Sequence, residues 1–151
     1  MTYVSKSYSV VVPYRGHLTI QCLVAAGDYD WVDRHVTDEH FPPCGGMPAE
    51  FAIELVEFDG FLSKGDVHRQ LIQRTLRPAN TAELLALCAM RPELPTDSLT
   101  IVGLGQSWRD ASRRLHVVSV TRLGRRRAAG LAWADREWNS KIQFAAINAK
   151  P

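Results

Sequence analysis

The chain has 151 residues, of which 46% are hydrophobic and 23% charged, and its formal net charge is +2. That length allows one domain with a substantial core, and the composition is ordinary for a globular protein. No apolar run approaches the roughly 18–20 residues that cross a bilayer, which excludes a helical membrane span.

The first 60 residues predict two strands around a short helix. Ser7–Arg15 is rich in β-branched and aromatic residues, which favours a strand. Leu18–Gly27 ends in glycine, which is consistent with a short helix that stops there. Ala49–Phe61 alternates between apolar and polar residues, and this period of two predicts a second strand.

Two helices follow, and both begin with a capping signal. Ser63 can cap a helix in SKGDVHRQLIQRTL that buries Val67 and Leu71. Asn80 opens NTAELLALCAM, and Glu83 can reach back to the backbone N–H of the cap, which forms a capping box. The predicted buried face of this second helix comprises Leu84, Leu85, Leu87 and Cys88.

Short β-like segments occupy the rest of the chain, which predicts an α+β protein. Leu99–Trp108 is apolar, and RLHVVSV, GLAWA and KIQFAAI follow it. The glycines of GLGQSW fit neither a phosphate loop, which needs a following Lys and Ser or Thr, nor the G-x-S-x-G nucleophile elbow. Gly103 and Gly105 instead predict a bulge or the close approach of another backbone.

The residues that could hold a metal or act as a nucleophile lie in one polar segment. His35 and His40 have three acidic neighbours in DRHVTDEHF. A metal site needs three or four converging ligands, and the H-x4-H spacing is not a helical i,i+4 pair, so an exposed polar loop is favoured. Cys44 is the best candidate nucleophile by exposure, but nothing places a base beside it.

The cysteines and the N-terminus predict a cytoplasmic protein. Cys22, Cys44 and Cys88 lie far apart, form no CxxC pair and cannot all be bridged, which predicts free thiols in a reducing cytosol. The opening MTYVSKSYSVVVPYRGH lacks a basic region followed by an apolar core, so no signal peptide is expected.

Positive charge is concentrated in the last third of the chain. Residues 1–108 carry 8 Lys and Arg against 13 Asp and Glu, whereas residues 109–151 carry 10 against 3. This asymmetry indicates either an anionic partner or an arginine-rich face that folds back on the acidic body. The run Arg122–Arg127 is the strongest cluster, and with the nearby tryptophans it could bind nucleic acid through phosphates and bases.

RPANTAELLAL and LAWADREW, the latter ahead of QFAAI, resemble segments of C-type lectin-like folds, a group that includes formylglycine-generating enzymes and phage receptor-binding variable proteins. RPANTAELLAL resembles the helix entry of that fold, and LAWADREW before QFAAI resembles its Trp, Asp and second Trp ahead of a closing strand. Residues 18–150 are also similar to a family of uncharacterised proteins from small-genome, uncultured bacteria. The matching segments are AAGDYDWVDRHVTDEHFP, AIELVEFD, LRPANTAELLAL, PTDSLTIVGLGQSW and LAWADREW.

The resemblance implies a C-type lectin-like core in residues 61–151, with two helices and short antiparallel strands. Residues 1–60 would form an N-terminal strand and helix extension packed on that core. The protein would be the variable protein of a diversity-generating retroelement, which rewrites adenine-encoded codons in a lectin-like scaffold. Its implied function is non-enzymatic ligand binding, without a cofactor, by a diversified surface in residues 109–142.

The resemblance also divides the site residues into scaffold and display positions. Display residues would face an acidic protein or another polyanion, since arginine forks suit carboxylates and phosphates. The scaffold residues are Asn80, Glu83, Trp108, Trp133, Trp138 and Phe144. The ligand-facing residues are Arg109, Arg113, Arg122, Arg125, Ala128, Gly130, Ala132, Ala134, Arg136, Asn139 and Ser140.

Three other functions make specific demands on the sequence. An enzyme of the formylglycine-generating type needs a pair of reactive cysteines near the C-terminal end, and the sequence has no cysteine after Cys88. Ca²⁺ binding would need a cluster of carboxylates in the C-terminal loops, which the sequence lacks. A nucleic-acid-binding module built on Arg122–Arg127 is the alternative to the display surface.

Overall fold

The computed structural model describes residues 3–11, 19–43, 50–96 and 99–148. These residues form the predicted α+β fold, in which three helices pack on one mixed sheet of eight strands. The elements in chain order are β1 (Tyr3–Val11), α1 (Ile20–Gly27), β2 (Trp31–Val32), β3 (Glu50–Phe58), α2 (Lys64–Gln73), β4 (Leu76–Pro78), α3 (Thr81–Met90), β5 (Thr100–Arg109), β6 (Leu115–Leu123), β7 (Arg126–Trp133) and β8 (Ile142–Asn148).

The sheet places its last strand near the centre. The strands run in the order β1-β3-β8-β5-β6-β7-β2, and β4 pairs with β8 beside this path. β8 is antiparallel to β3 but parallel to β5, and β2 is parallel to β7. The prediction of antiparallel strands alone is therefore corrected. The parallel pair arises because residues 134–141 carry the chain back along the sheet before β8 begins.

Helices lie on both faces of the sheet. α1 and α3 pack together on one face, called the α3 face, whose core includes Leu84 and Val118. α2 and the segment 134–141 cover the opposite face, called the α2 face, where the core includes Val67 and Trp138. Because successive residues of a strand point to opposite faces, the strands contribute to both cores.

The helix caps follow the sequence closely. The Asn80 side chain accepts the backbone N–H of Glu83 at 2.9 Å, and the Glu83 carboxylate accepts the N–H of Asn80 at 2.9 Å, so the predicted capping box is confirmed. Ser63 forms the equivalent box at the start of α2. Gly27 ends α1 as predicted, but the left-handed cap is taken by Asp28, with φ of 50°.

Helix α3 is buried on all sides because it lies between the sheet and α1. The predicted face is buried, and so is every residue from Thr81 to Cys88. Glu83 is 1% exposed, and its carboxylate accepts two hydrogen bonds from the Arg77 guanidinium, at 2.7 and 2.9 Å. Local capping and tertiary burial therefore act on the same side chain.

The glycines of β5 have the predicted roles. A Cβ atom on Gly105 would lie 2.5 Å from the carbonyl oxygen of Pro78 and 2.7 Å from that of Ala79. The register between β5 and β6 shifts between Gly103 and Trp108. The close approach is thus confirmed, and the shift marks a bulge or another irregularity in the pairing. A bulge re-aims the side chains that follow it, here Trp108.

The N-terminal strand differs from its predicted bounds. β1 begins at Tyr3 rather than at Ser7, because it pairs along its whole length with β3. Residues 12–18 lie outside the described residues. β1 and β3 share one sheet with the later strands, and the division of the chain at residue 60 stays a prediction. No helix in the described residues is long and apolar enough to cross a membrane.

Candidate ligand-binding surface

The β6–β7 hairpin organises the basic C-terminal third of the chain. Its turn has two residues, and Gly124, with φ of 62°, takes the first position, where a type II′ turn requires glycine. This turn fixes the strand register, so that Leu123 pairs with Arg126 and, near the far end, His116 pairs with Trp133.

The two ends of this hairpin form separate surfaces. The turn end comprises residues 122–127, and the open end comprises residues 109–116 and 133–136. A strand rises about 3.3 Å per residue, which places the two ends roughly 20 Å apart. The predicted ligand-facing residues are therefore dispersed: Arg122 and Arg125 lie at the turn end, and Arg109, Arg113, Ala134 and Arg136 lie at the open end. The other five lie at neither end.

Asp110 builds the loop between β5 and β6. Its carboxylate accepts the backbone N–H groups of Ser112 and Arg114 at 2.8 and 2.9 Å and meets Nε2 of His116 at 2.8 Å. The His116 contact, followed by the backbone N–H donors, lowers the pKa of Asp110. Arg113 adopts the left-handed conformation, with φ of 67°. The result is a tight loop that exposes the side chains of Arg113 and Arg114.

An open cleft of about 240 Å³ lies beside this loop. Its lining residues are Arg113, Arg114, Leu115, Trp133 and Asp135. Trp133 is 53% exposed, and the guanidinium carbon of Arg114 lies 4.7 Å from the centroid of its ring. Asp135 is the one carboxylate among these lining residues, and it pairs with Lys64 of α2 at 3.5 Å.

A cluster of stacked rings extends from the cleft across the α3 face. Trp108 and His116 are paired residues of β5 and β6, and their ring centroids lie 5.4 Å apart with planes at 30°. His40 and His35 stack on Trp108, with centroid distances of 4.0 and 4.8 Å. These four side chains form the ring cluster. Trp133, opposite His116 on β7, points to the same face.

The loop that carries the two stacked histidines is anchored at several points. Val36 and Phe41 are buried in the core. The Asp38 carboxylate accepts a backbone N–H in the first turn of α1 at 2.8 Å, and the Gln106 amide donates to the carbonyl of Pro42 at 2.6 Å. Both imidazoles are half-buried, which differs from the exposed polar loop that the sequence predicted.

Arg127 turns inward at the turn end. Its side chain is 7% exposed and donates to the carbonyls of Gly27, Cys88 and Leu94 at 2.6, 2.9 and 3.0 Å. Its guanidinium carbon lies 4.8 Å from the ring centroid of Tyr29. Two of these carbonyls belong to the last turns of α1 and α3, where the helix dipole favours a cation. One cation thus joins two helix ends to β7.

Arg122 is also committed to backbone contacts. Its guanidinium donates to the carbonyls of Pro95 and Pro92 at 2.7 and 2.6 Å. Of the four arginines in the run, Arg125 and Arg126 are the exposed ones. Two of the four arginines thus remain exposed for the alternative nucleic-acid interface at the turn end.

The eleven predicted ligand-facing residues differ in burial. Ala134 is completely buried, so its side chain offers no contact at the surface. The exposed residues are Arg109, Arg113, Arg125, Arg136 and Ser140. The half-buried residues are Arg122, Ala128, Gly130, Ala132 and Asn139.

The predicted scaffold aromatics also differ in burial. Trp138 and Phe144 are 1% and 2% exposed and meet edge to face, with centroids 5.8 Å apart. Trp108 is half-buried in the ring cluster. Trp133 is more than half exposed. The resemblance assigns both Trp133 and Trp138 to the scaffold, but of these two only Trp138 is buried.

The candidate metal ligands are His35 and His40, and the candidate nucleophile is Cys44. Within the described ranges, no group of three or more His, Cys, Asp or Glu side chains is placed to hold a metal ion. Cys22 and Cys88 are free thiols, and burial raises the pKa of Cys88 to about 12. Cys44, the candidate nucleophile, lies outside the described residues.

Asp110, Arg114 and His116 are the residues of the open end that the sequence did not single out. The signal for His116 was present, because a two-residue turn that begins with Gly124 fixes the pairing of both strands. Counting outward from that turn places His116 opposite Trp133. An aspartate shortly before exposed polar residues is also typical of a side chain that organises a turn.

No protein-family model, no curated protein and no solved structure matches the chain.

Proposed function

We propose that the protein is a non-enzymatic, cytoplasmic ligand-binding protein whose open end binds an anionic ligand. The observation that carries this proposal is the cleft beside exposed Trp133, where Arg113 and Arg114 project from the loop that Asp110 fixes. Arginine forks suit carboxylates and phosphates, and a preorganised loop lowers the ordering cost of binding. The ligand would be an acidic protein or another polyanion, bound without a cofactor.

The scaffold in this proposal is C-type lectin-like. Its support is the order of α2, α3 and the closing strand β8, which returns beside β3, with Trp138 buried in the segment that precedes β8. The protein would be the variable protein of a diversity-generating retroelement, with its changeable positions in residues 109–142. Rigid elements that carry adaptable loops suit such a display role.

Sequencing the surrounding locus tests the proposed diversification. We expect a near-copy of the DNA for residues 109–150 beside a reverse transcriptase gene, with differences at template adenines. A locus that lacks both would remove the reason for calling these residues a diversified surface.

Binding of fluorescent poly-L-glutamate, followed by anisotropy, tests the anionic ligand site. The double variant Arg113→Asn with Arg114→Gln removes two charges and keeps the left-handed backbone, which asparagine tolerates. Loss of two charge-assisted contacts should weaken binding by about tenfold or more. Arg125→Gln, at the turn end, is the control and should leave affinity unchanged. Equal losses in both variants would indicate unspecific charge attraction and contradict the assigned site.

A further inference from the structure

We propose that the ligand of the open end is single-stranded nucleic acid, with an unpaired base stacked on the exposed ring of Trp133 and phosphates held by the surrounding arginines. This inference rests on the proposed function, because it names the ligand class of the same cleft. It moves nucleic-acid binding away from the arginine run of the turn end. There, Arg122 and Arg127 are occupied by backbone carbonyls.

The arrangement of rings is the first support. Trp108, His116 and Trp133 lie on three neighbouring strands and point to one face. Neighbouring strands lie about 4.8 Å apart, so the row extends over roughly 10 Å. Trp133 ends the row and is 53% exposed. Bases stack on such side chains without regard to sequence, because every base has a π face.

The placement of charge is the second support. Arg113 and Arg114 are exposed on the loop beside the row, and Arg109, at the end of β5, donates to the carbonyl of Arg113 at 2.8 Å. The carboxylates nearby have partners: Asp110 accepts two backbone N–H groups and contacts His116, and Asp135 pairs with a lysine of α2. Phosphates beside stacked bases would therefore meet a positive surface.

The size of the cleft favours an extended ligand over an enclosed one. It is open to solvent, and its volume of about 240 Å³ lies near the lower end of the roughly 300–1,000 Å³ that small-molecule sites span. The cleft therefore suits one ring of a chain that continues across the surface. The bases of a single strand are accessible for stacking, whereas those of a duplex are covered. An acidic peptide would contact the arginines but leave the exposed Trp133 ring without a role.

The test is anisotropy of a labelled oligothymidylate with the full chain, at low salt and at rising salt. Trp133→Ala should weaken binding by roughly 5- to 100-fold, the effect of losing one base stack, and Trp133→Phe should restore most of it. Trp31→Ala is a matched control. Trp31 is 57% exposed and pairs with Ala128, which places it on the opposite face of the sheet.

The outcomes separate this inference from the proposed function. Binding that needs the Trp133 ring, tolerates loss of Trp31 and exceeds binding of a duplex supports single-stranded nucleic acid. Equal effects of the two tryptophan variants overturn stacking. If oligothymidylate fails to bind at low salt while poly-L-glutamate binds through Arg113 and Arg114, the ligand is an acidic peptide and only the inference fails. If neither probe binds, both fail.

Discussion

The two ends of the β6–β7 hairpin use arginine for opposite purposes. At the turn end, Arg122 and Arg127 donate to backbone carbonyls and join loops and helix ends to the sheet. At the open end, Arg113 and Arg114 project into solvent beside an exposed ring. The difference follows from the acceptors nearby, because two helix C-termini approach only the turn end. A basic run in a sequence therefore locates charge but does not locate a binding surface.

The tryptophans of the last third give the largest expected difference. Trp138 lies in the core, whereas Trp133 lies more than half in solvent. Trp138→Ala should lower the free energy of unfolding by about 4 kcal/mol, and Trp133→Ala by less than about 1 kcal/mol. Urea denaturation of both variants measures the contrast. Similar losses would show that the two rings have the same structural role.

The arginines of the turn end give the next largest difference. Arg127→Met leaves three buried carbonyls without their donor, which should cost about 3 kcal/mol of unfolding free energy. Arg126→Met, at the exposed neighbouring position, should change it by no more than about 0.5 kcal/mol. The same denaturation experiment compares them. If the two variants are equally stable, the inward arginine contributes nothing to the fold.

Asp110 gives a pH-dependent difference at the open end. The His116 contact and backbone donors lower its pKa in the folded protein, so the charged carboxylate stabilises the fold. That stabilisation is present above the ordinary Asp pKa of about 3.9 and is lost as pH falls through the lower folded-state value. Wild type should exceed Asp110→Asn in unfolding free energy at neutral pH. The gap should shrink as pH falls below about 3.9, and a constant gap would rule out the charge as its source.

Thiol labelling gives the smallest expected effect and reports on the turn end. Burial raises the pKa of Cys88 to about 12, so it remains a thiol at neutral pH, whereas Cys22 is exposed. Iodoacetamide should modify Cys22 in the native protein and Cys88 only after unfolding, as mapped by mass spectrometry. In Arg127→Met, labelling of Cys88 should become faster, because its helix end has lost a tether. Ready labelling of Cys88 in the native wild type would contradict its burial.

Local signals predicted the helices better than the sheet. The Ser63 cap and the Asn80 capping box depend on residues within three positions of each other, so the sequence displays both signals directly. The parallel pairing of β8 with β5 depends on a return connection, which periodicity does not encode. The ring cluster needs both the bulge before Trp108 and the anchored loop of residues 31–43. The sequence therefore predicted the residue types of the candidate site, arginines and tryptophans, but not their arrangement in space.

The central position of β8 has a consequence for synthesis. A ribosome releases β1 and β3 early and β5 to β7 later, yet in the sheet of the described residues these two groups are joined by β8, which emerges after them. Until residue 148 has left the exit tunnel, the nascent chain holds two sheet fragments with unpaired edges, which are prone to association. Changes in residues 128–140 precede this closing step, so a variant there is first exposed to the cell on an unfinished sheet. The soluble yield of a substitution in this segment therefore depends on the unfinished sheet as well as on the finished fold.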